Sequence, residues 1–200
     1  MLKDTLVAVV GASGTGKTTL LKSAFKSDYD KYHVVTNTTR AMRPGERDGI
    51  DYHFQSEFKS DENTILSDTY AGNYYWTNKS DLIQQLKQNH FAMMVVTAKG
   101  LKQLLSDPEL KFAIVGLVLK SDTKELADRL KSRDANNSEI KIRIDNLEQD
   151  NKTIDQLLTD LKSENMMSHI AILKNNNSTD DKTTEYNIKL LKALCKNAIN

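Results

Sequence analysis

Residues Gly11 to Thr18 read G-A-S-G-T-G-K-T, two glycines bracketing a small-residue turn that runs into Lys17 and a hydroxyl. This spacing suits one chemistry, the cradling of a polyphosphate. The glycines Gly11, Gly14 and Gly16 let the backbone curl so that the N–H groups of Ala12, Ser13, Thr15 and their neighbours point inward. A helix opening near Lys17 brings its positive end to the same place. Lys17 then reaches the β- and γ-phosphates, the Thr18 hydroxyl ligates Mg²⁺, and Thr19 continues the cradle. The motif implies a nucleoside triphosphate and leaves its fate open.

A second anion site is written further along. Arg40 and Arg43 flank the approach to a Pro44-Gly45 turn, and two planar guanidinium forks at that spacing match a dianionic phosphate. Arginine is scarce in this chain, confined to Arg40, Arg43, Arg47, Arg129, Arg133 and Arg143, while lysine serves elsewhere. The forks therefore mark places where a point charge does not suffice.

The elements that must position these groups follow from the apolar runs. Buried strands are expected at Leu6 to Val10, Tyr32 to Val35, Phe91 to Val96, Phe112 to Leu119 and Ile170 to Leu173. Helical spacing separates them at Thr18 to Phe25, around Leu82, Ile83 and Leu86, around Leu101, Leu104 and Leu105, and at Leu126 with Leu130. Pro108 closes one of these helices. The alternation predicts an α/β fold, a parallel sheet flanked by helices. Residues 36 to 77 interrupt it as a polar, aromatic lobe of short strands. A long polar helical region from Asp122 to Ser163, with a loop at Asn136, Asn137 and Ser138, forms a lid. Within it, Ile154, Leu157, Leu158 and Leu161 line one helix face that packs on its own domain or docks a partner. Asn175 to Asp181 reads as a solvated connector.

Charge narrows the field. With 28 basic and 27 acidic side chains mixed along the chain, no single-sign surface draws nucleic acid or a membrane, so a charged ligand must be held locally. The apolar run Leu6 to Val10 is too short for a membrane span, and the chain reads as cytoplasmic. Cys195, the one cysteine, sits at helical spacing with Leu190, Leu191 and Leu194 and reads as a buried thiol. His33, His53, His90 and His169 show no metal-ligand spacing.

The segment from Thr38 to Phe54, T-T-R-A-M-R-P-G-E-R-D-G-I-D-Y-H-F, resembles the guanylate kinase family, whose corresponding segment runs T-T-R-x-x-R-x-G-E-x-x-G-x-D-Y-x-F. The likeness continues through Gly72-Asn73-Tyr74-Tyr75 and the Arg129, Arg133 and Arg143 pattern, so it covers most of the chain. It implies the P-loop NTPase fold in one domain: a core of 1–35, 90–121 and 164–200, a monophosphate-binding lobe of 36–89 and a helical lid of 122–163. It implies transfer of the ATP γ-phosphoryl group, with Mg²⁺, to a nucleoside monophosphate, GMP or dGMP first, by a monomer or homodimer. Arg40, Arg43, Tyr52 and Tyr75 match the residues that hold the acceptor phosphate, and Thr36 and Thr77 stand where family hydroxyls approach the base. Arg129, Arg133 and Arg143 match the lid arginines that close over the donor phosphates. Five of the six arginines thus fall on motif positions. Since a monophosphate already offers an ionised oxygen, transfer needs charge neutralisation and in-line placement more than a general base.

The chain departs from the family where the base is read. Counting from Gly72, the family's base-reading glutamate falls on Leu66, and counting from Gly100, its acidic strand pair falls on Val95 and Thr97. Asp68, two residues on from Leu66, is a replacement carboxylate if the loop register shifts. Trp76 replaces a family glycine and either stacks on a base or fills space. These changes leave three readings: a guanylate kinase, a kinase for another (deoxy)nucleotide, or a catalytically weak binding module. A P-loop ATPase or small-molecule kinase with an unrelated acceptor is a further alternative.

Overall fold

The strand Thr5–Gly11 alternates its side chains between two apolar layers, and that alternation builds the main sheet. Leu6, Ala8 and Val10 face one buried cluster while Val7 and Val9 face the other. A strand wetted on neither side needs helices on both faces, the parallel-sheet solution. The computed structural model describes residues 4–134, 138–175 and 181–199. In chain order its elements are β1 (Thr5–Gly11), α1 (Lys17–Phe25), α2 (Tyr29–Tyr32), β2 (Asn37–Thr38), β3 (His53–Phe54), β4 (Thr64–Tyr70), β5 (Asn73–Asn78), α3 (Lys79–Asn89), β6 (Phe91–Val95), α4 (Ala98–Ser106), β7 (Ala113–Lys120), α5 (Thr123–Asp134), α6 (Ser138–Asp145), α7 (Leu147–Ser163), β8 (Ile170–Lys174) and α8 (Asp181–Ile199). The predicted loop residues Asn136 and Asn137, the connector residues 176–180 and the side chains of Arg133 and Cys195 lie outside the described residues. Ser138, expected in that loop, opens α6 instead.

The main sheet has the order β6-β1-β7-β8, every neighbouring pair parallel. A second sheet, β3-β2-β5-β4, forms within the segment between α2 and α3. One face of the main sheet packs on Leu20, Leu21, Ala24 and Phe25 of α1, on Tyr29 and Tyr32 of α2 and on Leu191 of α8. The other face receives Leu82 and Leu86 of α3, Leu101 and Leu104 of α4, Leu126 and Leu130 of α5, and Ile154, Leu157 and Leu161 of α7. Each such side chain, fully buried, contributes about 1.5–3 kcal/mol. Helix α4 is fixed at its start by the Thr97 hydroxyl, which accepts from Gly100 N–H at 3.0 Å, and it ends at Ser106, just before Pro108. No helix among the described residues is long and apolar enough to cross a membrane.

The strand expected at Tyr32 to Val35 is absent. Tyr29 and Tyr32 sit one helical turn apart, and both are buried among Phe25, Phe91 and their neighbours, Tyr32 edge-on to each of those two rings at 5.9 and 5.2 Å. Aromatic packing at helical spacing outweighs the β-preference of the run. What remains of the strand is one bridge from His33 to Met93 and a hydrogen bond from Val34 N–H to the Met93 carbonyl at 2.9 Å. The helix face with two open readings is settled for packing: Ile154, Leu157 and Leu161 belong to the main core, with Leu158 against it.

Replacing Leu161 with alanine is expected to cost roughly 2–5 kcal/mol in denaturant unfolding; a change below about 1 kcal/mol would show that α7 is not integral to the core. His33 supplies a pH test. Burial pushes its imidazole down to about 4, while the unfolded side chain takes up a proton near 6.5. The unfolded state then binds more protons, so stability is full above about 6.5 and falls as pH drops towards about 4. That slope should flatten in His33→Gln, measured by unfolding midpoints across the range.

Candidate active site

Strand β1 delivers its last residue, Gly11, to a place no other residue fits. A Cβ there would lie 2.8 Å from the Leu119 carbonyl and 2.6 Å from the Thr15 hydroxyl. The turn that follows closes on itself, with Thr15 N–H and hydroxyl both donating to the Ala12 carbonyl, at 3.3 and 2.9 Å. Gly16, at φ 83°, turns the chain into α1, so the loop amides and the helix start face one side. Lys17 Nζ lies across the loop, donating to the Gly11 and Ala12 carbonyls at 2.7 and 3.0 Å. Thr18 and Thr19 stand exposed on the first turn of α1.

Facing the loop across a cleft of about 340 Å³ is the second sheet. The loop residues Gly11, Ala12, Ser13 and Lys17 line the cleft together with Thr36, Arg43, Tyr52, Tyr75, Trp76 and Thr77. That volume lies in the range of small-molecule sites. Arg40 does not reach it. Its guanidinium is 3% exposed, paired through Nη2 with both Glu46 carboxylate oxygens at 2.8 and 2.9 Å, and covered by the Tyr52 and Phe54 rings at 5.2 and 5.6 Å. Burial alone would lower its pKa, but the hydrogen bonds and charge of Glu46 outweigh that and hold it above the usual arginine value. Glu46 also accepts Arg43 N–H at 2.9 Å, so the buried pair fixes the backbone from which Arg43 extends into the cleft. The Tyr75 hydroxyl is buried without a hydrogen-bond partner, a donor that a phosphate oxygen in the cleft would satisfy.

At the far end of the cleft the Thr36 and Thr77 hydroxyls stand 3.5 Å apart. Leu66, buried, projects from β4 opposite Thr77, its δ-methyl close to Gly100. Asp68 and Tyr70 follow on the same strand face, and both also line the cleft. Thr97 lines it too, but its oxygen is already accepting Gly100 N–H, which leaves its O–H to donate. Trp76 is 8% exposed; it packs at 5.0 Å on Phe58 and also borders the cleft.

Of the three arginines expected above the loop, Arg143 donates to the Ser13 hydroxyl at 3.1 Å. Arg129 lies outside the cleft lining, donating to the Asn175 carbonyl at 3.1 Å and, at 3.5 Å, to the Gly14 carbonyl. Two participants were not singled out from sequence. Asn175 donates through its side-chain amide to the Thr15 carbonyl at 2.6 Å, bracing the loop from β8, and Asp150 touches the loop from α7. Neither carries a local sequence pattern, whereas Glu46 lay within the quoted motif. Among the described residues no three His, Cys, Asp or Glu side chains gather as a metal cage. The Thr18 hydroxyl, exposed on the first turn of α1, is a hard oxygen donor of the kind a divalent cation takes alongside phosphate oxygens and water.

A family model described as guanylate kinase matches residues 3–176. The guanylate kinase of Trichormus variabilis is 32% identical over 140 residues, covering 67% of this chain and 69% of that protein. That of Chlorobaculum tepidum is 34% identical over 152 residues, covering 72% and 76%. Among solved structures, guanylate kinase from Anaplasma phagocytophilum superposes with a TM-score of 0.57 at 18% identity, over 97% of this chain and 88% of that one, a likeness of fold.

Removing the acceptor-side ion pair should be costly. Glu46→Ala strands a buried guanidinium and is expected to destabilise by about 3–5 kcal/mol, read from denaturant unfolding. A loss under about 1 kcal/mol would mean that the pair does not hold the lobe.

Proposed function

The chain belongs to the guanylate kinase family of ATP-dependent nucleoside monophosphate kinases, and we propose that in this member the residues gathered at the cleft divide the transfer as follows. The loop amides from Gly11 to Thr19, with Lys17, hold the β- and γ-phosphates of ATP. Arg43, Tyr52 and Tyr75 hold the acceptor phosphate, and Arg40 acts from behind with Glu46 to set Arg43. Thr36, Thr77, Leu66, Trp76 and Thr97 surround the base, with GMP or dGMP the leading acceptor. Arg143, at the loop, neutralises charge on the migrating group, and Arg129, which is not among the cleft lining, and Arg133 join it on closure of the lid. Magnesium would be held by the Thr18 hydroxyl and the phosphates, and would supply charge neutralisation there.

The observation that carries this reading is that Lys17 of the glycine loop and Arg43 of the segment between β2 and β3 line one and the same cleft. A monophosphate oxygen held at Arg43 then faces the phosphorus held at the loop, and alignment replaces a general base. The lobe of 36–89 and the lid of 122–163 are the parts that close and exclude water, which would otherwise divert transfer into hydrolysis. The protein works in the cytoplasm as a monomer or homodimer, without nucleic acid or membrane partners. A second reading follows from Leu66 and Thr97. An apolar group and a hydroxyl donor stand where the family's carboxylates accept guanine N–H groups, and sites built on such bonds discriminate by roughly 10⁴–10⁵. That favours an acceptor base other than guanine, unless Asp68 takes over.

Incubation with Mg-ATP and each ribo- and deoxynucleoside monophosphate in turn, following ADP release, decides between these. Release is expected to depend on one monophosphate, GMP or dGMP under the first reading; release indifferent to all of them would overturn both. Lys17→Ala should lower turnover by about 10²–10³-fold. Arg43→Ala should mainly raise the acceptor KM, by about 10–100-fold. Unaltered kinetics in both variants would show the site to be misassigned.

A further inference from the structure

One backbone N–H of the glycine loop already has a negatively charged partner from a distant part of the chain. Ser13 N–H donates to Asp150 Oδ2 at 3.4 Å, and the same oxygen accepts from the Tyr70 hydroxyl at 2.8 Å. The Ser13 hydroxyl accepts from Arg143 Nη1 at 3.1 Å, and that guanidinium lies 5.4 Å from the centre of the Tyr70 ring. Loop, β4, α6 and α7 therefore meet at one point, and all four side chains line the cleft.

The two bonds at Asp150 differ in strength. The Ser13 contact is long for an N–H donor, whereas the Tyr70 contact has the ordinary length of a hydroxyl bonded to a carboxylate. Burial, and then the charge of Asp150, hold the Tyr70 hydroxyl above its usual pKa, so it stays a donor. A triphosphate seated in the loop claims the same inward-facing N–H, and its charge repels a carboxylate placed beside it.

We propose that Asp150 is a positioning residue that couples the donor loop to the acceptor lobe: its carboxylate and the donor phosphate are alternative partners for Ser13 N–H, and Tyr70 passes the exchange to β4. Strand β4 carries Leu66 and Asp68 at the acceptor end of the cleft, so seating the donor resets the pocket in which the acceptor base lies. The coupling is reciprocal by linkage. It rests on the reading of the loop as an ATP site, but not on the identity of the acceptor.

The test uses the full chain and ATP alone, with no monophosphate. Asp150→Asn keeps the shape and an accepting oxygen but removes the charge, and should tighten ATP binding by about 5-fold or more. A residue that merely held the fold would give weaker binding instead. Trp76, the one tryptophan of the chain, pairs with Ser67 of β4 and reports on that strand by its fluorescence. ATP should change this signal in the wild type, and the change should vanish in Tyr70→Phe with ATP still bound. Unchanged or weaker ATP binding in Asp150→Asn overturns the exchange, and a Trp76 response that persists in Tyr70→Phe overturns the coupling. Failure of the wild-type protein to bind ATP overturns the donor-site reading and this proposal together.

Discussion

Arg40 is a cation taken almost wholly out of water, and it can stay there because Glu46 meets it with both carboxylate oxygens. Breaking such a pair by removing one member leaves a charge with no solvent and no partner, which is why the pair constrains its surroundings more than it stabilises them. The same carboxylate takes the Arg43 N–H, and the Tyr52 and Phe54 rings close over the guanidinium. The lobe thus keeps one arginine as a fixed internal charge, and the same carboxylate fixes the backbone from which a second lines the cleft. Losing the buried pair would cost this end of the cleft its geometry before it cost any contact within the cleft itself.

The glycine loop reaches rigidity by a different route. Its partners are main-chain groups, and a main-chain donor is only as well placed as the elements at either end of its segment. Strand β1, covered on both faces, anchors the beginning of the loop, and α1, held by Leu20, Leu21, Ala24 and Phe25, anchors its end. Asn175 braces the middle from β8 through the Thr15 carbonyl. Neutral amides suit this place, since a loop lined with fixed full charges would need counter-ions of its own, whereas oriented dipoles carry no such requirement.

What could be read in the sequence divides along physical lines. The loop, the strands β1, β6, β7 and β8 and the amphipathic helices were legible because each is written locally, as a motif or a run of apolar residues with one period. The Arg40–Glu46 pair was half legible, since both residues stand in one short segment, but nothing local says that Arg40 turns inward while Arg43 turns out. The strand expected at Tyr32 to Val35 failed at its start, where Tyr32 ends a helical turn, because the rings that hold Tyr32 there, Phe25 and Phe91, belong to other elements. Asp150 and Asn175 were invisible for the same reason: an aspartate on a polar helix and an asparagine after a strand acquire meaning only from the loop that folding brings to them.

The central place of β1 also bears on how the chain reaches its native state. Thr5 pairs with Phe91 on one side and with Ala113 on the other, so β1 waits for partners made much later than itself. Such high contact order slows folding, and an unpaired, wholly apolar strand is a template for association between chains. Until synthesis has passed Lys120, Leu6 to Val10 has no completed sheet to enter. The segment that anchors the glycine loop in the finished protein is therefore exposed to association with other chains until its partners are made.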